Sequence, residues 1–464
     1  MAAARSLWLQ EALAQEQAEV APELTGRVEA DFCIVGGGYT GLWTALRLKE
    51  LEPAASVVLL DADICGGGPS GRNGGFALSW WPKIETFAKR VGEPEAFRLV
   101  MASEDAIAEI GSFCATEGID AHFQQGGWLW TATSPAQVGA WEAVVRIAEA
   151  RGERPFEILS AEEVQARTGS SVHLGAAFEP KAATVQPALL ARGLRRIALA
   201  RGVRIHEHSE MVELDREQGI VRTELGFVRA GAIVLALNAW AIKIRELSRA
   251  LVAVSSDMVA TAPMAERLNQ SGWTGGEAIS NARLLVHYYR TTRDGRIAFG
   301  RGGGRLAYDS RVNSNFDYSA AQTKTLLDDL VRLVPAAQGI PVTSAWGGPI
   351  DRTPDGLPFC GRLPGPRRIV YAAGYSGNGV APSLTLAKIL ASSALGRDDE
   401  WAGAGINRGA RVRFPPEPIR FVGGLVVRGA VRRKEGREDR GLGVDPVTRA
   451  LAGLAPQGFF RVSR

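Results

Sequence analysis

The stretch DFCIVGGGYTG, residues 31–41, decides the fold. Its first six residues read as a short buried strand (31–36). Helical spacing through Leu42, Ala45, Leu46 and Leu48 predicts a helix over 38–50. A second apolar run, SVVLLD at 56–61, completes a strand–helix–strand unit. Between strand and helix lies a G-x-G-x-x-G at Gly36, Gly38 and Gly41, with Tyr39 and Thr40 opening the helix. Dinucleotide binding needs this arrangement. Gly36 permits the tight turn, Gly38 lets a pyrophosphate reach the backbone, and Gly41 packs helix on strand. The helix N-terminus adds unpaired N–H groups and a positive partial charge. Asp61 ends the second strand 20 residues after Gly41, where an acid accepts hydrogen bonds from ribose hydroxyls. Ala62 follows it and is grouped with the same site.

Two further glycine clusters distinguish the possible dinucleotides. Ser70, Gly71, Arg72, Asn73, Gly74 and Gly75 form a loop where a plain dehydrogenase would continue into an ordinary helix. Gly374, Gly377, Asn378, Gly379 and Val380 lie over 300 residues later, after a strand at 368–373 and before a helix at 383–395. Glycine-rich backbone at a helix start aims N–H groups at an electron-rich ligand. A ligand touched by such elements at both ends is more like extended FAD than NAD.

Composition sets the class. The chain has 464 residues, 46% hydrophobic and 22% charged, which is ordinary for a globular protein of two or three domains. The net charge of +4 conceals an asymmetry. Residues 401–464 hold 12 Arg and one Lys against five acids, a surplus of +8, so residues 1–400 carry −4. An acidic body argues against nucleic acid as a partner. The basic segment contains RFPPEPIRFV (413–422), too apolar for a disordered polybasic arm. It is expected to dock on its own body or on a second subunit, its arginines meeting acidic surface. Cys33, Cys65, Cys114 and Cys360 form no C-x-x-C pair, so neither a disulfide framework nor a zinc site is expected. The pair His206 and His208 has no nearby third ligand, and no metal is expected. No apolar run reaches the ~18 residues of a membrane span, and acids interrupt the first 17 residues. A cytoplasmic location is expected.

Along the chain, helical patterns fill 95–119, 135–151, 187–201 and 319–334. Strand-rich stretches cover 203–235 and 283–300. Past Gly396 periodicity is lost. Trp128 and Trp130, two apart, are expected on one strand face, and Trp240 and Trp346 are candidates for a pocket wall.

The motifs together resemble the D-amino-acid-oxidase-like superfamily of FAD oxidoreductases, which includes glycine, sarcosine and γ-glutamylputrescine oxidase-like members. The carrying blocks, in family order, are VGGGYTGLWTALRL (35–48), SGRNGG (70–75), ATVQPALLARGLRRIALARGVRIHE (183–207) and VLALNAW (234–240). YYRTTRDGRIAFG (288–300), DRTPDGLPFCGRL (351–363) and GYSGNGV (374–380) complete them. The resemblance implies an α/β fold: a discontinuous Rossmann-like FAD-binding domain and a second α+β substrate domain on an antiparallel sheet. The expected boundaries are an arm at 1–29, a FAD domain from 30–80, 176–250 and 340–396, a substrate domain from 81–175 and 251–339, and a basic extension at 397–464. It further implies that 70–75 contacts flavin and pyrophosphate, that Val212 lies by the adenine, and that 374–380 cradles the ring.

The implied chemistry is oxidation of a small amine at its C–N bond, with hydride passing to the flavin, imine hydrolysis and reoxidation by O2 or another acceptor. Tyr288 matches the family's substrate-facing tyrosine, and Arg290 shares its strand face. Two departures from the family bear on the site. Gly348 stands where sarcosine-oxidase-like members carry a flavin-tethering Cys, and Arg72 and Asn73 stand near a tethering His of other members, so non-covalent FAD is expected. Ile350 stands where glycine-oxidase-like members hold the substrate carboxylate with Arg, and an alkyl group does not replace a bidentate guanidinium. A γ-glutamylputrescine-like amine or an aminophosphonate therefore fits better than an α-amino acid, unless Arg352 or Arg290 substitutes. The alternatives are a D-amino acid, sarcosine or glycine-type oxidase or dehydrogenase, and a flavin-binding electron-transfer subunit without turnover of its own.

Overall fold

The computed structural model describes residues 5–16, 21–309 and 311–456. Strand Gly26–Val35 lies at the centre of the first sheet. It pairs in parallel with Val57–Leu60 and with Gly226–Leu235, Val35 standing opposite both Leu60 and Leu235. The sheet has eight strands in the order Phe359–Arg362, Arg368–Ala373, Gly226–Leu235, Gly26–Val35, Val57–Leu60 and Arg204–His206. Glu213–Asp215 and Ile220–Arg222 attach beside Gly226–Leu235. Parallel strands are covered on both faces and read as continuous apolar runs; Ile34, Val58, Leu59, Ile233 and Val234 are fully buried. Helix Tyr39–Leu51 starts where the spacing predicts and buries Leu42, Ala45, Leu46 and Leu48. A Cβ at Gly41 would overlap the Gly36 carbonyl oxygen, so only glycine lets this helix approach. Gly36 itself turns at φ +112°, a conformation that glycine adopts without a steric penalty.

The second sheet has eight strands in the order Val342–Arg352, Val252–Thr261, Ile297–Arg301, His287–Thr291, Ala278–Asn281, Trp128–Thr131, Ala176–Glu179 and Glu157–Leu159. All neighbours are antiparallel except Ala278–Asn281 with Trp128–Thr131. Trp128 and Trp130 do share a face, their rings stacked at 5.8 Å. Two strands cross the expected domain boundaries. Ala176–Glu179 and Val342–Arg352 lie in ranges read as FAD domain yet hydrogen-bond into the second sheet. Val342–Arg352 pairs with Val252–Thr261 along nearly its whole length, and its last residues reach the Gly374 loop that follows the first sheet's Arg368–Ala373 strand.

The ends of the chain carry more structure than the sequence suggests. The expected N-terminal arm contains helix Leu7–Gln15, capped by Ser6, whose Oγ accepts from Leu9 N at 3.1 Å. Trp8 is buried edge-on to Trp346. The extension beyond Gly396 contains helices Ile419–Glu438 and Pro446–Ala452. Periodicity hides the first because its buried face mixes Ala430 and Val431 with Arg420 and Glu435. The helix lies on the chain's own body, with the polarity reversed: the body supplies Arg283 and the helix supplies Glu435 and Asp439. Among the described residues no helix is long and apolar enough to cross a membrane.

Candidate active site

The first sheet's parallel strands end at a cavity of about 610 Å³, within the range of ligand and cofactor sites. Val35, Leu60 and Ala236 line it from those strand ends, where ligands of open α/β sheets bind. The second sheet contributes Ser256, Ser280, Tyr288, Ile350 and Arg352 to the opposite wall. All three glycine clusters meet here, although over 300 residues separate the first from the last.

At the nucleotide end, Gly36, Gly38, Tyr39, Thr40, Asp61 and Ala62 line the cavity. Asp61 Oδ2 accepts from Gly37 N at 2.7 Å and Oδ1 from Asp63 N at 2.9 Å. Each oxygen keeps a lone pair for a hydroxyl. Burial holds the Asp61 carboxyl up at about 6. Ser70 Oγ accepts from Tyr39 N at 2.9 Å, joining the second glycine loop to the first helix. Ser70, Arg72, Asn73 and Gly74 line the cavity, whereas Gly71 and Gly75 lie behind it. Asn73 braces its own loop, donating to Pro69 and Ser70 carbonyls and accepting from Gly75 N. Arg72 reaches across to Asp317 at 2.7 Å. Val212 does not line the cavity; it is 65% exposed, and Ser209, Glu210 and Met211 take the wall there. The reason is local: Val212 N bonds Arg222 O at the edge of the sheet, turning the side chain outward.

At the other end, Gly377, Asn378, Gly379 and Val380 line the cavity while Gly374 supports them from behind. Two structural observations show that these residues fit FAD. Helices Tyr39–Leu51 and Val380–Leu395 both start at the cavity from glycine caps, Gly38 and Gly379, which have no side chain to cap them; at the first helix Ser70 Oγ engages the Tyr39 N–H. Asn378 Oδ1 is buried without a hydrogen-bond partner among the described residues, while its Nδ2 donates to Ser79 O at 3.0 Å. A long ligand with phosphates at one end and a hydrogen-bonding ring at the other meets both needs.

Asp351 holds the third glycine loop. Its carboxylate accepts from Gly374 N at 2.5 Å and Tyr375 N at 3.1 Å. Burial pushes the carboxyl up to about 7, against those hydrogen bonds. The folded state keeps a proton that the unfolded chain releases near pH 4, so this stability is present below that pH and is lost as pH rises through about 7. Wild-type stability should therefore fall over that window by up to about 1.4 kcal/mol per pH unit from this group. Asp351→Asn should flatten the slope, read from urea midpoints against pH. Equal slopes would remove the assignment.

The substrate-side residues divide. Tyr288 lines the cavity, and its hydroxyl lies 2.8 Å from Ser256 Oγ. Burial pushes the phenol well above its ordinary value, so it stays a neutral donor. Arg290 does not reach the cavity. Its guanidinium donates to Gly74 O at 2.8 Å and Val185 O at 2.6 Å and lies over the Trp8 ring, bracing the second glycine loop. Arg352 and Ile350 both line the cavity. Trp240 is on the wall; Trp346 stands behind it, donating to Arg72 O at 2.8 Å. His208 leaves the strand at φ +53°, separating it from His206. Among the described residues no cluster of three or more potential ligands could hold a metal.

Several supporting residues escaped the sequence reading. Ser6 Oγ donates to Gly71 O at 2.5 Å and Trp8 Nε1 to Asn73 O at 3.0 Å, so the N-terminal helix underpins the second glycine loop. The one signal was a Ser ahead of an apolar helical run. Asp317 and Ser256 had none, being ordinary polar residues brought in by the second sheet and its connections.

Comparison with known proteins agrees with this geometry. Residues 31–393 match the family model described as "DAO: FAD dependent oxidoreductase". The chain is 28% identical over 386 residues to a probable oxidoreductase OrdL of Haemophilus influenzae, covering 82% of this chain and 86% of that one. It is 28% identical over 372 residues to the γ-glutamylputrescine oxidoreductase of Escherichia coli, covering 79% and 84%. The crystal structure of glycine oxidase from Geobacillus kaustophilus superposes with a TM-score of 0.68 at 22% identity, covering 83% of this chain and all of that one.

Proposed function

The chain belongs to the DAO family of FAD-dependent oxidoreductases, and from that premise we propose that it oxidises the C–N bond of a small amine with non-covalently held FAD. Its expected substrates are a γ-glutamylputrescine-like amine or an aminophosphonate. Similarity to a γ-glutamylputrescine oxidoreductase supports the amine.

The observation that carries the reading is the chamber beside the N-terminus of helix Val380–Leu395. Phe76, Leu78, Val286 and Ile350 give it apolar walls, and the Tyr288–Ser256 hydroxyl pair gives it one polar side. Every carboxylate on the cavity wall is already engaged: Asp63 with Arg5, Glu210 with Lys243, Asp317 with Arg72, and Asp61 and Asp351 with backbone N–H groups. No general base is needed if the amine enters neutral. When bound, FAD supplies the hydride acceptor for the carbon bearing the amine, and the resulting imine hydrolyses. The chain's own residues do the rest. Tyr288 and Ser256 orient the amine, the apolar walls exclude water, and the uncapped helix end favours electron-rich groups near it.

Anaerobic mixing of the yellow holoenzyme with primary amines, N-methylglycines, D-amino acids and aminophosphonates tests the reading through bleaching of the flavin absorbance. Bleaching by the amines or aminophosphonates is expected. Bleaching by α-amino acids alone would move the substrate to the glycine-oxidase type and remove the significance of Ile350. A flavin that no amine reduces would leave an electron-transfer role.

A further inference from the structure

The extension beyond Gly396 presents a surface that neither the fold nor the cavity uses. Helix Ile419–Glu438 turns Arg420, Ala430, Val431 and Glu435 onto the body. On its outer side Ile419, Val422 and Val426 are 61%, 56% and 50% exposed, and Leu425 is exposed beside them. Spacings of three, four and seven residues keep these side chains on one face over about 10 Å of helix. Tyr308 is half-exposed and packs edge-on against Phe421 at 5.1 Å, which widens the patch onto the body. Single exposed apolar residues are ordinary, but a contiguous set on one helix face marks an interaction surface.

The charge around this patch has one sign. The five acids of residues 401–464 are all engaged within the chain. Glu435 and Asp439 meet Arg283, Glu417 meets Arg420, and Glu438 meets Lys434. Asp445 accepts from Thr448 N and lies 3.7 Å from Arg433. The arginines are left outside. Arg411 and Arg413 precede the apolar stripe, Arg432 and Arg433 follow it one helical repeat beyond Leu425 and Val426, and all four are exposed. Among the described residues Arg411, Arg413 and Arg432 form no ion pair. An aliphatic stripe with arginines at both ends matches an anionic bilayer surface, where apolar side chains enter the acyl boundary and guanidinium groups meet headgroup phosphates.

We propose that the outer face of helix Ile419–Glu438 is a docking surface for an anionic lipid membrane, to which the protein binds peripherally and without a span. The surface lies outside the flavin cavity and stands whether or not an amine is the substrate. A second copy of the chain fits it less well. In a two-fold dimer the patch would meet itself, setting arginine against arginine, and a head-to-tail contact with the acidic body would leave an open chain of copies. Nucleic acid would satisfy the arginines but leave the aliphatic stripe without an apolar partner.

Flotation of the full-length holoenzyme with lipid vesicles tests the surface without any turnover. Vesicles containing phosphatidylglycerol should carry the protein upward, less so as salt is raised, and vesicles of phosphatidylcholine alone should bind at least about tenfold more weakly. Val422→Ser combined with Val426→Ser removes apolar surface from the stripe and should weaken binding to the anionic vesicles by about tenfold or more. Arg432→Gln combined with Arg433→Gln should also weaken it by about tenfold or more, and decides the matter if the serine variant does not fold. Flavin content and circular dichroism should match the wild type in both, because the altered side chains are exposed. Wild-type protein that floats with neither vesicle, or equally with both, overturns the proposal. Binding that both double variants leave unchanged does the same. Sedimentation velocity without lipid separates the rival occupant: a dimer that the serine variant abolishes, in a protein that binds no vesicle, would assign the face to a second copy.

Discussion

Purified Gly38→Leu is expected to be folded and colourless. Gly38 caps helix Tyr39–Leu51 with φ −80°, a backbone that any residue adopts, so substitution creates no strain in the chain itself. What it creates is bulk at the ligand. A Cβ at this position already lies 2.9 Å from Ser70 Oγ, which is fixed by accepting from Tyr39 N. The remaining leucine carbons must displace the Pro69–Gly71 turn or lie across the uncapped helix end. Either course removes hydrogen bonds from N–H groups to a charged phosphate, each worth about 1.5–3 kcal/mol, and adds about 1–3 kcal/mol of overpacking. A loss of about 3–6 kcal/mol corresponds to roughly 100-fold to 10⁴-fold weaker FAD binding. Flavin absorbance per chain, alongside circular dichroism to confirm folding, provides the measurement. Gly38→Ala, whose single carbon meets only the hydroxyl end of a serine, should keep much of its flavin. A Gly38→Leu protein that purifies yellow at wild-type stoichiometry would contradict the nucleotide site.

The contrast with Arg290 shows what the sequence can and cannot convey. Gly36, Gly38, Gly41 and Asp61 are legible because the backbone demands are local: a turn, a close approach and a strand end all fall within 26 residues. The loop at 374–380 is legible for the same reason, since it joins a strand to a helix. Arg290 and Arg352 were indistinguishable as candidates, because both are arginines near a strand end. Only the tertiary arrangement shows that one spends its donors on the Gly74 and Val185 carbonyls, 216 and 105 residues away, and the other faces the cavity. Val212 was placed by the same kind of local reading: its neighbour Met211 reaches the wall, while Val212, whose N–H bonds Arg222 O just before strand Glu213–Asp215, is exposed. Helix Leu7–Gln15 and the extension helix were missed for a different reason. Their docking faces mix apolar side chains with scattered polar contacts, among them Ser6 to Gly71, Trp8 to Asn73, Glu435 to Arg283 and Arg428 to Gly304, which leave no clean periodic trace.

That last contact carries the largest expected change in stability. Glu435 is buried, its Oε2 accepting from Arg283 Nε and Nη2 at 3.2 and 3.1 Å. Its Oε1 accepts from Leu284 N at 2.7 Å and Leu285 N at 3.2 Å. Arg283, equally buried, is held above its ordinary pKa by Glu435 and Asp439 despite desolvation. Glu435→Ala would leave that guanidinium with Asp439 alone and orphan two backbone N–H groups. Breaking one side of a buried pair costs about 3–5 kcal/mol, and the deficit falls on helix Ile419–Glu438. Arg428 of this helix donates to Gly304 O, and Gly302 lines the cavity, so loosening should spread to that wall. A lower urea midpoint and protease cleavage confined to the extension are the expected readouts. The pair itself is a poor source of net stability, because two desolvation penalties offset its attraction. Arg283→Met combined with Glu435→Leu should accordingly recover most of the loss, leaving the two amides unsatisfied and the partly exposed Asp439 to be solvated by water. A double variant as unstable as Glu435→Ala would mean that the helix is held by those amides and not by the charge.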